Sequence, residues 1–271
     1  SQYNDVLEAV AEDSVDLLVC DTSLEDRCVS EILYKIRHHE IGNNPFLIVI
    51  ILSSEFGPMT INKFINNGVS DILVSPVSSS HLLKRIETLK DNQQIYVVTV
   101  DYIGPERRND TRPETQQISR IAVPNVLNFK ATPGKNEKSL ERAIEATTKL
   151  VNKEKMDRQA FQISYLVDEI MPLYEADDVS DDVIALIERL EVVSSELVRR
   201  MAGTHKAYMS KLANTVLQVA SSIAKSPLSP ETTDLQLLPE LGVAVQKAFF
   251  ATDEEIQLVQ DITDTVKDRS A

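Results

Sequence analysis

The chain has 271 residues, 42% hydrophobic and 26% charged, which is the balance of a folded protein with room for one large or two ordinary domains. A net charge of −14 works against nucleic acid as the main partner, since phosphates ask for a basic face. No apolar run reaches membrane-spanning length and Ser1–Asp16 is too polar and acidic for a signal peptide, so the expectation is a cytoplasmic protein with no DNA and no membrane contact.

Residues 1–90 alternate strand-like and helix-like segments. Val15–Cys20 reads as a buried strand, and Val29–His38 as a helix with Val29, Ile32, Leu33 and Ile36 on one face. Asn43-Asn44-Pro45 is a turn, and Phe46–Leu52 is the most strand-like stretch of the chain. A short helix over Met59–Asn67 is ended by Gly68. A third strand over Asp71–Val74 runs to Pro76, and His81–Lys90 is a helix burying Leu82, Leu83, Ile86 and Leu89. Repeated β-α alternation predicts a doubly wound parallel sheet with helices on both faces.

Residues 91–136 form a second segment, a connector with extended pieces at Ile95–Val100 and Ile118–Phe129 around a polar loop, Gly104–Thr115. From residue 137 to 271 the pattern is helical throughout and predicts a bundle, which the resemblance described below would make an output and dimerisation domain. Leu140, Ile144, Thr147 and Val151, then Ile163, Leu166, Ile170 and Leu173, repeat at helical spacing. The stretch Asn152–Gln159 between them is almost wholly polar, so one long helix would cross solvent or a partner there, and Pro172 kinks or ends it. A helix over Asp181–Met201 stops at Gly203. Tyr208, Leu212, Val219 and Ile223 mark the next, and two more follow near 239–250 and 253–268.

Three strands deliver Asp21, Ser53 and Ser75 to one edge of the expected sheet, in VDLLVCD, ILSSE and DILVSPV. Carboxyl ends of strands are where such sheets place ligand chemistry. This ordered set resembles the receiver domain of two-component response regulators, a flavodoxin- and CheY-like fold, over about residues 3–90. The interval from Ser53 to Ser75 is that of the family (75 − 53 = 22), and Gly68-Val69-Ser70-Asp71 resembles the stretch before its last strand. The resemblance implies that Asp21 is a phosphoacceptor fed by a histidine kinase or phosphotransfer protein. It also implies that Ser53 and Ser75 sense the phosphoryl group, and that Asp21 and the Ser23 backbone carbonyl help to hold Mg2+.

The departures are specific. Ser75 stands where the family has Lys, Ile72 where it has an aromatic switch residue, Glu25 for its Pro and Val29 for its Gly. The two metal-binding acids of the family belong on a first strand about 40 residues before Asp21, and 20 residues precede Asp21. The expected sheet therefore lacks its first strand, with truncation of the chain as the expected cause, and Mg2+ binding depends on an upstream acidic pair.

The resulting expectation is a response regulator in a phosphorelay: a cytoplasmic phosphoprotein whose receiver controls a helical protein-interaction domain and which forms a homodimer. The alternative is a pseudo-receiver scaffold that is never phosphorylated and acts by protein binding. An enzyme is disfavoured, because the helical region offers no His, Cys or paired carboxylates at catalytic spacing. Other candidates have plainer readings. Cys20 and Cys28 are free thiols, His205 an exposed residue at a helix start, and Arg107, Arg108 and Arg112 a solvated linker. The acidic run Glu175–Asp182 is a helix N-terminal cap region.

Overall fold

Tyr3, Val6 and Val10 recur at helical spacing and are buried along one face of α1 (Tyr3–Ala11), a helix that the polar composition of the N-terminus masks in the sequence. In this computed structural model, which describes residues 3–25, 27–54, 57–92, 94–107, 119–176, 179–202 and 207–250, the chain then runs through β1 (Leu17–Asp21), a hairpin of β2 (Ser23–Leu24) and β3 (Arg27–Cys28), and α2 (Ser30–Arg37). Next come β4 (Ile48–Ser53), α3 (Pro58–Asn66), β5 (Asp71–Val74) and α4 (Ser79–Asp91). Strands β1, β4 and β5 pair in that order, all parallel, as the alternation predicts. Two compact units divide the chain at Glu154/Lys155.

One apolar core of the first unit joins Leu18 and Cys20 of β1 with Val49 and Ile51 of β4, under Val6 and Val10 of α1, Ile32, Leu33 and Ile36 of α2, and Phe64 of α3. At the amino ends of the strands a buried cation does what apolar packing cannot. Arg37, the last residue of α2, donates from Nε to the Gly68 carbonyl (2.8 Å) and from Nη1 to the carbonyls of Pro45 (2.7 Å) and Leu47 (2.8 Å). Its guanidinium lies 5.4 Å from the Tyr96 ring centre. The loops that lead into β4 and β5 are thereby tied to one side chain.

Helix α4 departs from expectation. None of its residues is buried; Leu82, Ile86 and Leu89 are half-covered and Leu83 is 60% exposed. Leu83 follows Leu82 by one residue, about 100° around the helix, so it leaves the stripe that the other three share. Arg85 anchors the helix instead, its Nε 2.6 Å from Asp71 Oδ2.

The segment after residue 91 builds a second sheet. Strand β6 (Gln94–Val98) pairs antiparallel with both β7 (Ile103–Pro105) and β8 (Arg120–Val123), followed by α5 (Val126–Ala131). Tyr96, Val98, Ile103, Ile121 and Val123 close a core with Phe46 and with Val151 of α6 (Glu137–Glu175). Gly68, at φ +78° after α3, meets β7 so closely that an added Cβ would stand 2.5 Å from the Ile103 carbonyl oxygen. Arg107 is not a solvated linker residue: its Nη2 donates to the Val69 carbonyl at 2.5 Å.

The second unit comprises α6 from Lys155 onward, α7 (Asp181–Met201), α8 (Ala207–Lys225) and α9 (Thr232–Phe250). Val183, Ile187, Leu190, Val193 and Leu197 bury the predicted stripe of α7, and Asp181 and Asp182 lie in its first turn, where acids oppose the helix dipole. Two details differ from the sequence reading, and a third narrows it. Pro172 does not end α6, because it falls in the last turn, where Ala176 N–H still reaches its carbonyl (3.0 Å). Helix α9 begins at Thr232 and carries Pro239 inside it. Of the two crossings offered for the polar stretch of α6, solvent or a partner, solvent is not the one found at Lys155 and Gln159, both 0% exposed and the former 3.8 Å from Glu196 of α7. Gly203, His205, Arg108, Arg112, the Tyr208 side chain and the helix expected at 253–268 lie outside the described residues. Among the described residues no helix is long and apolar enough to cross a membrane.

Candidate functional site

The parallel register fixes where the three marked residues stand. Asp21 pairs with Leu52, so Ser53 projects one residue beyond it on the neighbouring strand, about 6 Å away from Cα to Cα by strand spacing and rise. Ser53 pairs with Val74, which puts Ser75 one step further, about 12 Å from Asp21. All three thus end their strands at the carboxyl edge, as the sequence implies. Their surroundings differ. Asp21 is exposed, Ser75 is half-buried, and Ser53 is buried on the face that carries Val49 and Ile51. Ser75 N–H donates to the Ser53 carbonyl (2.9 Å), and the Ser75–Pro76 peptide is cis.

Asp21 is held in place locally. Its Oδ1 accepts from the Thr22 backbone N–H (2.8 Å) and the Thr22 hydroxyl (3.4 Å), which leaves Oδ2 facing water without a hydrogen bond from the described residues. The β2–β3 hairpin follows at once. Val29 N–H donates to the Thr22 carbonyl (3.1 Å), so 22 and 29 form a hydrogen-bonded pair, and by antiparallel alternation the next pair, Ser23 and Cys28, does not exchange backbone bonds. The Ser23 carbonyl therefore turns away from its partner strand.

A full cation site is another matter. A hard divalent cation takes six or more oxygens, of which the Asp21 carboxylate and the Ser23 carbonyl are the two that the resemblance names. Among the described residues no three His, Cys, Asp or Glu side chains gather to hold a metal ion. Those two donors fall short of the number that such a cation takes. Glu55 lies outside the described residues.

Two further groups shape the edge without announcing themselves in the sequence. Burial works against ionisation of Cys28, but hydrogen bonds from Ser30 and the Lys63 ammonium outweigh it and hold the thiol below its ordinary range; its Sγ lies 3.1 Å from Ser30 Oγ. Cys20, by contrast, is pushed up to about 12 by burial and by the neighbouring Asp21 carboxylate. Lys63 supplies positive charge near the hairpin from α3, an element whose helical pattern carries no hint of it. No protein-family model, curated protein or solved structure matches the chain.

Proposed function

We propose that this protein is a signalling regulator of the response-regulator type, in which Asp21 accepts a phosphoryl group and the helical unit passes the signal on by binding a protein partner. One observation carries the reading: the parallel order β1–β4–β5 sets Asp21, Ser53 and Ser75 on consecutive strand ends at one edge. In such a sheet the carboxyl edge is where ligand chemistry belongs. The exposed Oδ2 of Asp21 attacks phosphorus while the bond to the donor (a histidine nitrogen, or the acetate of acetyl phosphate) breaks, giving an aspartyl phosphate. The half-buried Ser75 hydroxyl and the Ser53 hydroxyl, once turned outward, are the groups able to meet the new oxygens. A homodimer, a cytoplasmic location and a histidine kinase or phosphotransfer donor belong to the same proposal.

A second reading has its own support. Ser75 supplies no cation where the receiver family has Lys, and among the described residues no three His, Cys, Asp or Glu side chains gather to hold a metal ion. On that reading the domain is a pseudo-receiver scaffold that works by binding. Incubating the full chain with acetyl phosphate and Mg2+ and measuring intact mass separates the two. The phosphoacceptor reading expects a gain of one phosphoryl group that Asp21→Ala abolishes. Absence of the gain in the wild-type chain overturns that reading and leaves the scaffold.

A further inference from the structure

The second unit places polar groups where its neighbouring layers are apolar. Lys155 and Gln159 of α6 and Ser194 of α7 are 0% exposed, and Arg200 is 8%. Glu196 Oε1 accepts from Arg200 Nε (3.0 Å) and Nη2 (2.8 Å), and lies 3.8 Å from Lys155 Nζ. Beside this ion cluster, neither amide atom of Gln159 nor the hydroxyl of Ser194 has a hydrogen-bond partner among the described residues.

These groups share one level of the unit. Helices α6 and α7 are joined by a short connection, which makes them antiparallel neighbours. With Lys155 reaching Glu196, Ser194 stands about 3 Å and Gln159 about 6 Å along the axis from that pair. One turn further the buried residues are mostly apolar, with Ile163, Leu166 and Ile170 on α6 and Val183, Ile187 and Leu190 on α7, and the one buried hydroxyl there, that of Ser164, donates to the Gly242 carbonyl (2.9 Å). A buried group without a partner weakens the closed state by roughly tenfold or more in equilibrium constant, because water satisfies it as soon as the helices part. Among the described residues of the second unit the penalty on these two helices falls on this level; the other such atom on α6, Thr148 Oγ1, belongs to the first unit.

We propose that this polar layer is the opening point of the helical unit. Helices α6 and α7 separate over Lys155–Gln159 and Ser194–Arg200 while the apolar layers from Ile163 and Leu190 onward stay closed. The device gives the unit two states, a closed bundle and one with Lys155–Gln159 of α6 and the last two turns of α7 exposed at this level. It does not depend on what happens at Asp21.

Native-state hydrogen exchange of the full chain, read by mass spectrometry of peptides, tests it. Amides of 155–160 and 194–200 are expected to exchange at least about a hundredfold faster than those of 163–170 and 184–191. Replacing both unpartnered groups (Gln159→Leu with Ser194→Ala) is expected to slow the first set about a hundredfold, roughly tenfold for each group, and to leave the second unchanged. Uniform protection along both helices in the wild type, or no slowing in the folded double variant, overturns the proposal. Should leucine fail to fit at 159, Ser194→Ala alone removes a single oxygen and decides the matter, with about tenfold slowing expected and none contradicting it.

Discussion

Arg37→Met tests how the site's strands are held. Three backbone carbonyls, of Pro45, Leu47 and Gly68, receive Arg37 at 2.7 to 2.8 Å, and the side chain is fully enclosed. A hydrogen bond to a charged group contributes about 1.5–3 kcal/mol, so three amount to roughly 5–9 kcal/mol. Methionine fills similar volume and spares the several kcal/mol needed to bury the guanidinium. The net loss is then about 3–5 kcal/mol, a large part of a domain's stability. Urea unfolding followed by circular dichroism and tyrosine fluorescence is suitable, since the chain has seven Tyr and no Trp. The transition of the first unit should move to lower urea while that of the second stays in place. Arg37→Lys keeps the charge but cannot span three acceptors, and should lose nearly as much. A methionine variant within about 1 kcal/mol of wild type would refute the reasoning, because the carbonyls would then owe little to Arg37.

Four other outcomes are expected. Tyr96→Phe should raise stability by about 1 kcal/mol near neutral pH, since the Tyr96 hydroxyl is buried without a hydrogen-bond partner among the described residues; a clear loss in thermal unfolding would count against this. Burial raises the Tyr96 phenol above its ordinary value of 10.0, so its contribution to stability is complete below about pH 10 and is lost as pH rises toward the folded value. The alkaline loss measured by urea unfolding should be smaller in Tyr96→Phe than in wild type. Iodoacetamide at pH 8 should label Cys28 well before Cys20, whose thiol is both buried and held at about 12; equal rates in the folded chain would contradict the two environments. Gly68→Ala should cost at least about 1 kcal/mol, from its positive φ and the approach of the Ile103 carbonyl, and a variant with unchanged melting would refute that packing.

Periodicity made the parallel sheet legible. Phe46–Leu52 is apolar at every position, and its strand appears within two residues of the expected bounds, because an interior strand covered on both faces needs such a run. Asp21, Ser53 and Ser75 were legible as strand ends for the same reason. Their unequal exposure was not, since it depends on pairing register, which a lone sequence leaves open. Arg37 reads as an ordinary cation closing a helix, and only the fold reveals three carbonyls converging on it. Asn152–Gln159 left solvent and a partner both open for a related reason. Polar residues signal solvent unless a partner is buried with them, and Glu196 lies over 35 residues away in sequence. Pro239 likewise suggests a helix start, while Thr232–Leu238 already form the first turns of α9.

The central claim is that the ends of β1, β4 and β5 act as one phosphoryl-accepting site. Amide NMR spectra of the full chain, recorded before and after adding beryllofluoride with Mg2+, test it most directly, because that anion occupies the place of a phosphoryl group on a carboxylate. The expected result is a set of shifts confined to residues near Asp21, Ser53 and Ser75 and lost in Asp21→Ala. An unchanged spectrum, or shifts that survive Asp21→Ala, would contradict the claim.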